Sequence, residues 1–254
     1  MIASVDLLGV RIDNVMIDEV LDCIDRFLDT TELQLICTPN ADHVVKAWHD
    51  AEFRSIINQS SLSIPDGMAV IYGSRLLGTP LRGNVAGRLL VPRLCERTAS
   101  TGSRIFFFGA DVGVADEAAE RLQEQYPGLV VAGTYSPPFG FECDPVENAR
   151  ALALINASRP DILLVALGAP KQEKWMAANR AQIEARVAIG VGGTFDIIAG
   201  RVREAPRVAT RFGFEWFFRM VQEPRRLARR YLIDDQQFVR VVIGHWLRRR
   251  LLRA

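Results

Sequence analysis

Asp66 stands in Ile64-Pro65-Asp66-Gly67, between a short apolar run and an apolar-periodic stretch opening at Met68. A carboxylate at the carboxyl end of a strand and the start of a helix is well placed to act as a general base. Pro, Asp and Gly are equally the residues of a plain turn. Three other segments occupy the same kind of junction. Thr38-Pro39-Asn40-Ala41-Asp42 follows the apolar run 33–37; Thr38 or Asn40 can cap the next helix, and the free amides of a helix start also suit an anion. In Leu167-Gly168-Ala169-Pro170-Lys171-Gln172-Glu173, Pro170 suits a first helical turn, from which Lys171 and Gln172 are expected to project toward one crevice. The bland alternative is a structural turn with a solvated charge run. In Gly190-Val191-Gly192-Gly193-Thr194-Phe195-Asp196, the glycine pair Gly192 and Gly193 frees backbone amides to surround a phosphate or nucleoside, with Thr194 and Asp196 just beyond. Phe108-Gly109-Ala110 is a weaker version of the same idea.

These junctions need strands to carry them and helices to follow them. Apolar runs at 33–37, 62–64, 104–108, 129–132, 162–166 and 187–191 lack in-out alternation, so they read as strands covered on both faces. Helical patterns lie at 42–58, 68–77, 87–98, 112–125, 145–158 and 170–180. A strand at 2–8 and a helix at 17–29 complete one side. Strand–helix alternation of this kind predicts an α/β fold, a mostly parallel layered sheet of Rossmann-like type, whose ligands bind beyond the carboxyl ends of the strands.

The 254-residue chain carries a net charge of only +1, but the average conceals a division. Residues 1–200 hold 17 basic and 25 acidic side chains, whereas residues 201–254 hold 14 arginines, no lysine and five acidic residues. The expected organisation is therefore an α/β core over 1–200 and an arginine-rich helical appendage over 201–254, with helices at 206–218, 224–232 and 236–252. In the last of these Phe238, Val241, Val242, His245, Trp246, Arg249 and Leu252 recur at helical spacing beside Arg240, Arg248, Arg250 and Arg253. An apolar stripe flanked by arginines is the pattern of a helix lying on an anionic membrane surface. No apolar run approaches the roughly 18 residues that span a bilayer, and no signal segment opens the chain, so the expected compartment is the cytoplasm. The four scattered cysteines, Cys23, Cys37, Cys95 and Cys143, read as small buried hydrophobes.

Several chemistries are argued against. His43, His49 and His245 show no HxxxH or HExxH spacing, which speaks against a zinc hydrolase. There is no GxSxG elbow, no GK[ST] after the glycine pair and no complete GxGxxG fingerprint. No DxD-type pair is present to hold a divalent cation against a nucleotide diphosphate, so no metal and no cofactor is expected. If a sugar nucleotide is handled, its leaving diphosphate must be met by arginines, lysines and amides.

Taken together, Thr38-Pro39-Asn40, Ile64-Pro65-Asp66-Gly67, Ala166-Leu167-Gly168-Ala169-Pro170-Lys171-Gln172-Glu173, Gly190 to Asp196, Arg203-Glu204-Ala205-Pro206, Glu215-Trp216-Phe217-Phe218-Arg219 and Gln222-Glu223-Pro224-Arg225-Arg226 resemble the WecG/TagA/CpsF family of bacterial glycosyltransferases. The resemblance runs from about residue 38 to residue 232. It implies metal-independent, inverting transfer from a UDP-sugar donor to a polyprenyl-diphosphate-linked saccharide acceptor, by a peripheral protein at the cytoplasmic face of the inner membrane. By resemblance, Asp66 matches a proposed general base, Thr38 a neighbouring hydroxyl and Gln172 a polar active-site residue. Arg219, Arg226 and Arg229 match arginines that close over the site. Asn40, Gly109, Lys171, Gly192, Gly193, Thr194 and Asp196 are the candidate donor contacts. Two features depart from the pattern: Arg88 stands where relatives often have an acidic residue, and the chain extends beyond residue 232. N-acetylmannosamine, its uronic acid and glucose all remain open as the transferred sugar, and a homo-oligomer is left open. The alternative reading is a non-catalytic nucleotide- or nucleic-acid-binding module using the basic tail. The sequence carries no nucleic-acid fold signature for it, and no nucleic-acid partner is expected.

Overall fold

The computed structural model describes residues 2–202 and 235–251. Six strands form one all-parallel sheet: β3 (Gln34–Cys37), β4 (Leu62–Ser63), β5 (Arg104–Gly109), β6 (Val130–Tyr135), β7 (Ile162–Ala166) and β8 (Val187–Gly190). Their order is β4-β3-β8-β7-β5-β6. Side chains alternate between two apolar layers, as the pleat requires. Ile105, Phe107, Ile162, Leu164, Val187 and Ile189 enter one layer; Phe106, Phe108, Leu163, Val165 and Ala188 enter the other. Both faces are covered, which is why the strands read as unbroken apolar runs.

Helices α1 (Ile17–Leu28), α5 (Gly87–Thr101), α6 (Val114–Gln125) and α9 (Thr194–Ile198) supply the first layer. On the other side lie α2 (Ala41–His49), α3 (Ala51–Gln59), α4 (Met68–Leu76), α7 (Pro145–Ala157) and α8 (Lys171–Ala178). The helix after β3 (α2) and the helix after its neighbour β8 (α9) therefore leave on opposite faces. A crevice opens between such strand ends, and it is the place where a doubly wound sheet binds ligands.

Two local features differ from the sequence reading. The N-terminal strand is a hairpin, β1 (Ser4–Leu7) with β2 (Val10–Asp13), joined through Leu8 and Gly9, both at positive φ. Two successive positive φ values give the turn twist that a two-residue hairpin needs, and Gly9 N–H donates to Asp6 Oδ1 at 2.8 Å. The helical stretch 42–58 is broken into α2 and α3 at Asp50, which caps α3 by accepting from Phe53 N–H at 2.9 Å.

The C-terminal helix, Asp235–Leu251, packs on α2 and α4. Phe238 and Val242 are buried and Trp246 is partly buried against the same cluster as Val44, Val70 and Ile71. Much of the apolar stripe read as membrane-facing is thus spent on the protein body. A second row, Val239, Ile243 and Leu247, is 43–52% exposed. The expected helices at 206–218 and 224–232 lie outside the described residues. Of the cysteines, Cys23, Cys37 and Cys95 are buried, but Cys143 is exposed at the 3-10 turn Phe141–Cys143.

Candidate active site

The loops after β3 and β4 are tied together at their backbones. Ile64 N–H donates to Cys37 O at 2.9 Å and Asp66 N–H to Pro39 O at 3.0 Å. Behind Asp66 the chain turns through Gly67 at φ +90°, where a side chain would be strained, and Gly67 N–H donates to Asn84 Oδ1 at 2.8 Å. Val85 N–H then donates to Pro65 O at 2.7 Å, so the Pro65-Asp66-Gly67 turn is clamped from both sides. Half-buried Asp66 is held next to the start of α2 by these bonds.

Thr38, at the end of β3, is buried and its hydroxyl donates to Gly190 O at 2.8 Å, joining the ends of β3 and β8. Two residues on, Asn40 accepts from His43 N–H at 3.2 Å and caps α2. Lys46, one turn along α2, donates to both Asp42 Oδ2 and Ala169 O at 2.8 Å, drawing the loop before α8 against α2. The Ala169–Pro170 peptide in that loop is cis.

Gln172 and Lys171 part company at the start of α8, because adjacent helical residues point about 100° apart. Gln172 is 1% exposed and accepts from Gly192 N–H through Oε1 at 3.0 Å. Its amide fills the space over Gly190, where an added Cβ would lie 2.6 Å from Nε2. Lys171 instead pairs with Glu142 at 2.6 Å and lies 4.6 Å over the Phe139 ring. Lys171 and Gln172 thus leave the start of α8 toward different partners. Trp175 and Met176, buried against Phe108 and Leu163, fix the helix so that Gln172 and Glu173 face inward.

The glycine loop after β8 has its own constraints. Gly192 sits at φ +52°, Gly193 caps α9, and Thr194 Oγ1 donates to Val191 O at 2.6 Å. A Cβ on Gly87 would lie 2.6 Å from Thr194 Oγ1, so the start of α5, which carries Arg88, abuts this loop. Thr38, Asn40, Asp66, Gln172, Gly192, Gly193 and Thr194 thus gather at the ends of β3, β4, β7 and β8. Asp196 lies further along α9, near Arg201, whose charge is favoured chiefly by its hydrogen bonds to Glu117 and to a lesser degree by Asp196. Gly109 sits at the end of β5 with φ +104°, and an added Cβ would strike Ala166 O at 2.6 Å. Arg219, Arg226 and Arg229 lie outside the described residues.

Two residues at the site carry no role in the sequence reading. Glu173 is fully buried and His43 nearly so; they meet at 3.3 Å between Oε1 and Nε2. Burial, followed by the charge of Glu173, pushes the neighbouring Cys37 thiol far above its ordinary range. His43 and Glu173 are 130 positions apart, and no local spacing connects them. Among the described residues no group of three or more His, Cys, Asp or Glu side chains is placed to hold a metal ion. None of the described helices is long and apolar enough to cross a membrane.

The fold and these loops define a Rossmann-like α/β protein in which Asp66 and the Gly192–Gly193 loop lie at the carboxyl ends of strands of one parallel sheet. Residues 5–252 match the family described as "Glycosyl transferase WecG/TagA/CpsF family", and the chain belongs to that family. The match includes the segment after residue 232, so that extension is part of the family unit and not the departure it resembled. A relative from Bacillus spizizenii strain W23, an N-acetylglucosaminyldiphosphoundecaprenol N-acetyl-beta-D-mannosaminyltransferase, is 33% identical over 86% of this chain and 82% of its own. Relatives of the same name from Staphylococcus aureus strains MRSA252 and NCTC 8325 are 29% identical, over 89% of this chain and 88% of theirs.

Proposed function

We propose that this glycosyltransferase moves an N-acetylmannosamine residue from its UDP-activated form to a polyprenyl-diphosphate-linked N-acetylglucosamine, with inversion and without a metal. The observation that carries the reading is the convergence of Asp66, Thr38 and the Gln172–Gly192 contact on one crevice in a chain whose relatives bear that transferase name. Those names specify a β-linked product. From an α-linked sugar nucleotide a β product requires inversion, a single in-line displacement needing one base and a stabilised leaving group.

In this mechanism the acceptor hydroxyl oxygen attacks the anomeric carbon as the bond to the UDP oxygen breaks. Asp66 takes the hydroxyl proton, and UDP departs with the bonding electron pair. The glycine loop, whose Gly192 N–H is held by Gln172, faces the donor phosphates or nucleoside through the Gly193 amide. Arg219, Arg226 and Arg229 are assigned to the charge that develops on the leaving diphosphate. The acceptor's lipid brings the protein to an anionic bilayer, for which Val239, Ile243 and Leu247, with the exposed Arg240 and Arg248 on the same helix, form the contact surface.

A panel of UDP-sugars offered with a lipid-diphosphate N-acetylglucosamine tests the reading. UDP-N-acetylmannosamine should give a β-linked disaccharide-lipid with chelator present. Transfer of a different sugar, an α-linked product or loss of turnover to chelator would each overturn the corresponding part.

A further inference from the structure

The hydrogen bonds around His43 and Glu173 fix a proton count. His43 N–H, a backbone donor, points to Asn40 Oδ1 at 3.2 Å, so that atom is an acceptor. His43 Nδ1 lies 2.8 Å from the same oxygen and must therefore carry a hydrogen. At the other end, Gly192 N–H points to Gln172 Oε1, which leaves the Gln172 NH2 to donate to Glu173 Oε1 at 2.7 Å. Between these fixed ends, His43 Nε2 faces Glu173 Oε1 at 3.3 Å. A neutral imidazole with Nδ1–H has a lone pair at Nε2, and a carboxylate has only lone pairs, so the contact is repulsive unless one further proton lies in it. Glu173 Oε2 is buried and makes no hydrogen bond among the described residues. An uncompensated carboxylate charge there would be costly.

We propose that His43 and Glu173 form a buried pair sharing one proton, and that this pair locks the Gln172 amide in the orientation that holds Gly192. They are positioning residues, acting on the glycine loop through Gln172; their effect on donor binding rests on the proposed function. The chain of consequence is specific. With Gln at position 173, an amide oxygen at the contact accepts from Gln172 but opposes the His43 lone pair. An amide nitrogen there satisfies His43 but meets the Gln172 NH2, which must flip and turn its nitrogen toward Gly192 N–H. The first breaks the link between His43 and position 173 and the second the link between Gln172 and Gly192, so either arrangement loses one hydrogen bond of the chain that runs from Asn40 to the loop.

The test combines donor kinetics with the ring itself. Glu173→Gln should raise the donor KM about tenfold, the scale of one hydrogen bond, while kcat changes less than about threefold. Unchanged donor KM in a folded Glu173→Gln protein would overturn the proposal. Independently of any variant's folding, 15N-histidine NMR of the wild-type protein should show His43 with Nδ1 protonated and a hydrogen-bonded proton coupled to, or shared with, Nε2. A His43 ring with bare Nδ1, or with Nδ1–H and an Nε2 that senses no proton, would also overturn it. If the wild-type protein neither binds nor transfers a UDP-sugar, the functional reading fails, and the NMR result still decides the pair.

Discussion

At the scale of single residues, the proposed catalytic groups sit where backbone bonds leave little freedom. Thr38 joins two strand ends through one hydrogen bond to Gly190 O. Thr38→Val keeps its shape but leaves a buried carbonyl without that donor. It should cost about 1–3 kcal/mol of stability, read from urea midpoints, and a change below 0.5 kcal/mol would mean the contact is not formed in solution. Cysteine chemistry gives a second check. Burial pushes the Cys95 thiol up to about 12 and raises Cys23 and Cys37 as well, whereas Cys143 is exposed. Native protein treated with iodoacetamide should take one fast adduct, at Cys143; rapid labelling of Cys37 or Cys95 would contradict their burial. Asp66, Thr38 and Gln172 could be picked from sequence because each follows an apolar run at a turn. His43 and Glu173 could not, since their meaning lies in a contact made only when α2 and α8 pack together.

The elements were legible to the degree that their signals were local. Five of the six sheet strands are recovered to within one residue at each end because runs such as Ile105-Phe106-Phe107-Phe108 are buried on both faces; β6 continues to Tyr135, three residues beyond the expected end. The β1–β2 hairpin was hidden because the strand read at 2–8 stops at the turn and its partner, Val10–Asp13, is only four residues long, with Gly9 alone marking the turn. Asp50 did signal the α2–α3 break, but the apolar period continues across it and concealed the cap. The stripe of the C-terminal helix showed that one face is buried without showing what buries it. Phe238 packs so closely on α4 that a Cβ on Gly73 would lie 2.9 Å from its ring. Truncating a core Phe costs about 3–5 kcal/mol, so Phe238→Ala should accelerate amide exchange across 235–251 while the central strands stay protected. Exchange unchanged in that helix would mean it is held by other contacts.

Across the whole molecule, charge and exposed apolar surface point in the same direction. Residues 1–200 hold 17 basic against 25 acidic side chains and residues 201–254 hold 14 against five, so the near-neutral average describes neither segment. Docking of the C-terminal helix uses Phe238 and Val242 and leaves Val239, Ile243 and Leu247 outward. Removing residues 233–254 would therefore expose part of the core as well as delete the proposed membrane contact. Changing Val239, Ile243 and Leu247 together to Ser separates the two effects. Association with phosphatidylglycerol vesicles should fall at least tenfold, and binding by the wild-type chain should weaken with salt, each arginine near the surface contributing about 1 kcal/mol. Turnover on a short-chain soluble acceptor should be retained. Vesicle binding that survives the triple change would place the membrane contact elsewhere.

The central claim is that Asp66 removes the acceptor proton in a single displacement at the crevice. Asp66→Asn preserves the side chain's shape and removes its basicity, so the steady-state rate with saturating UDP-sugar and lipid-diphosphate acceptor tests the claim most directly. The account predicts a fall in kcat of roughly 10²–10⁴-fold with donor KM and thermal midpoint little changed. A folded Asp66→Asn enzyme turning over at the wild-type rate would contradict it.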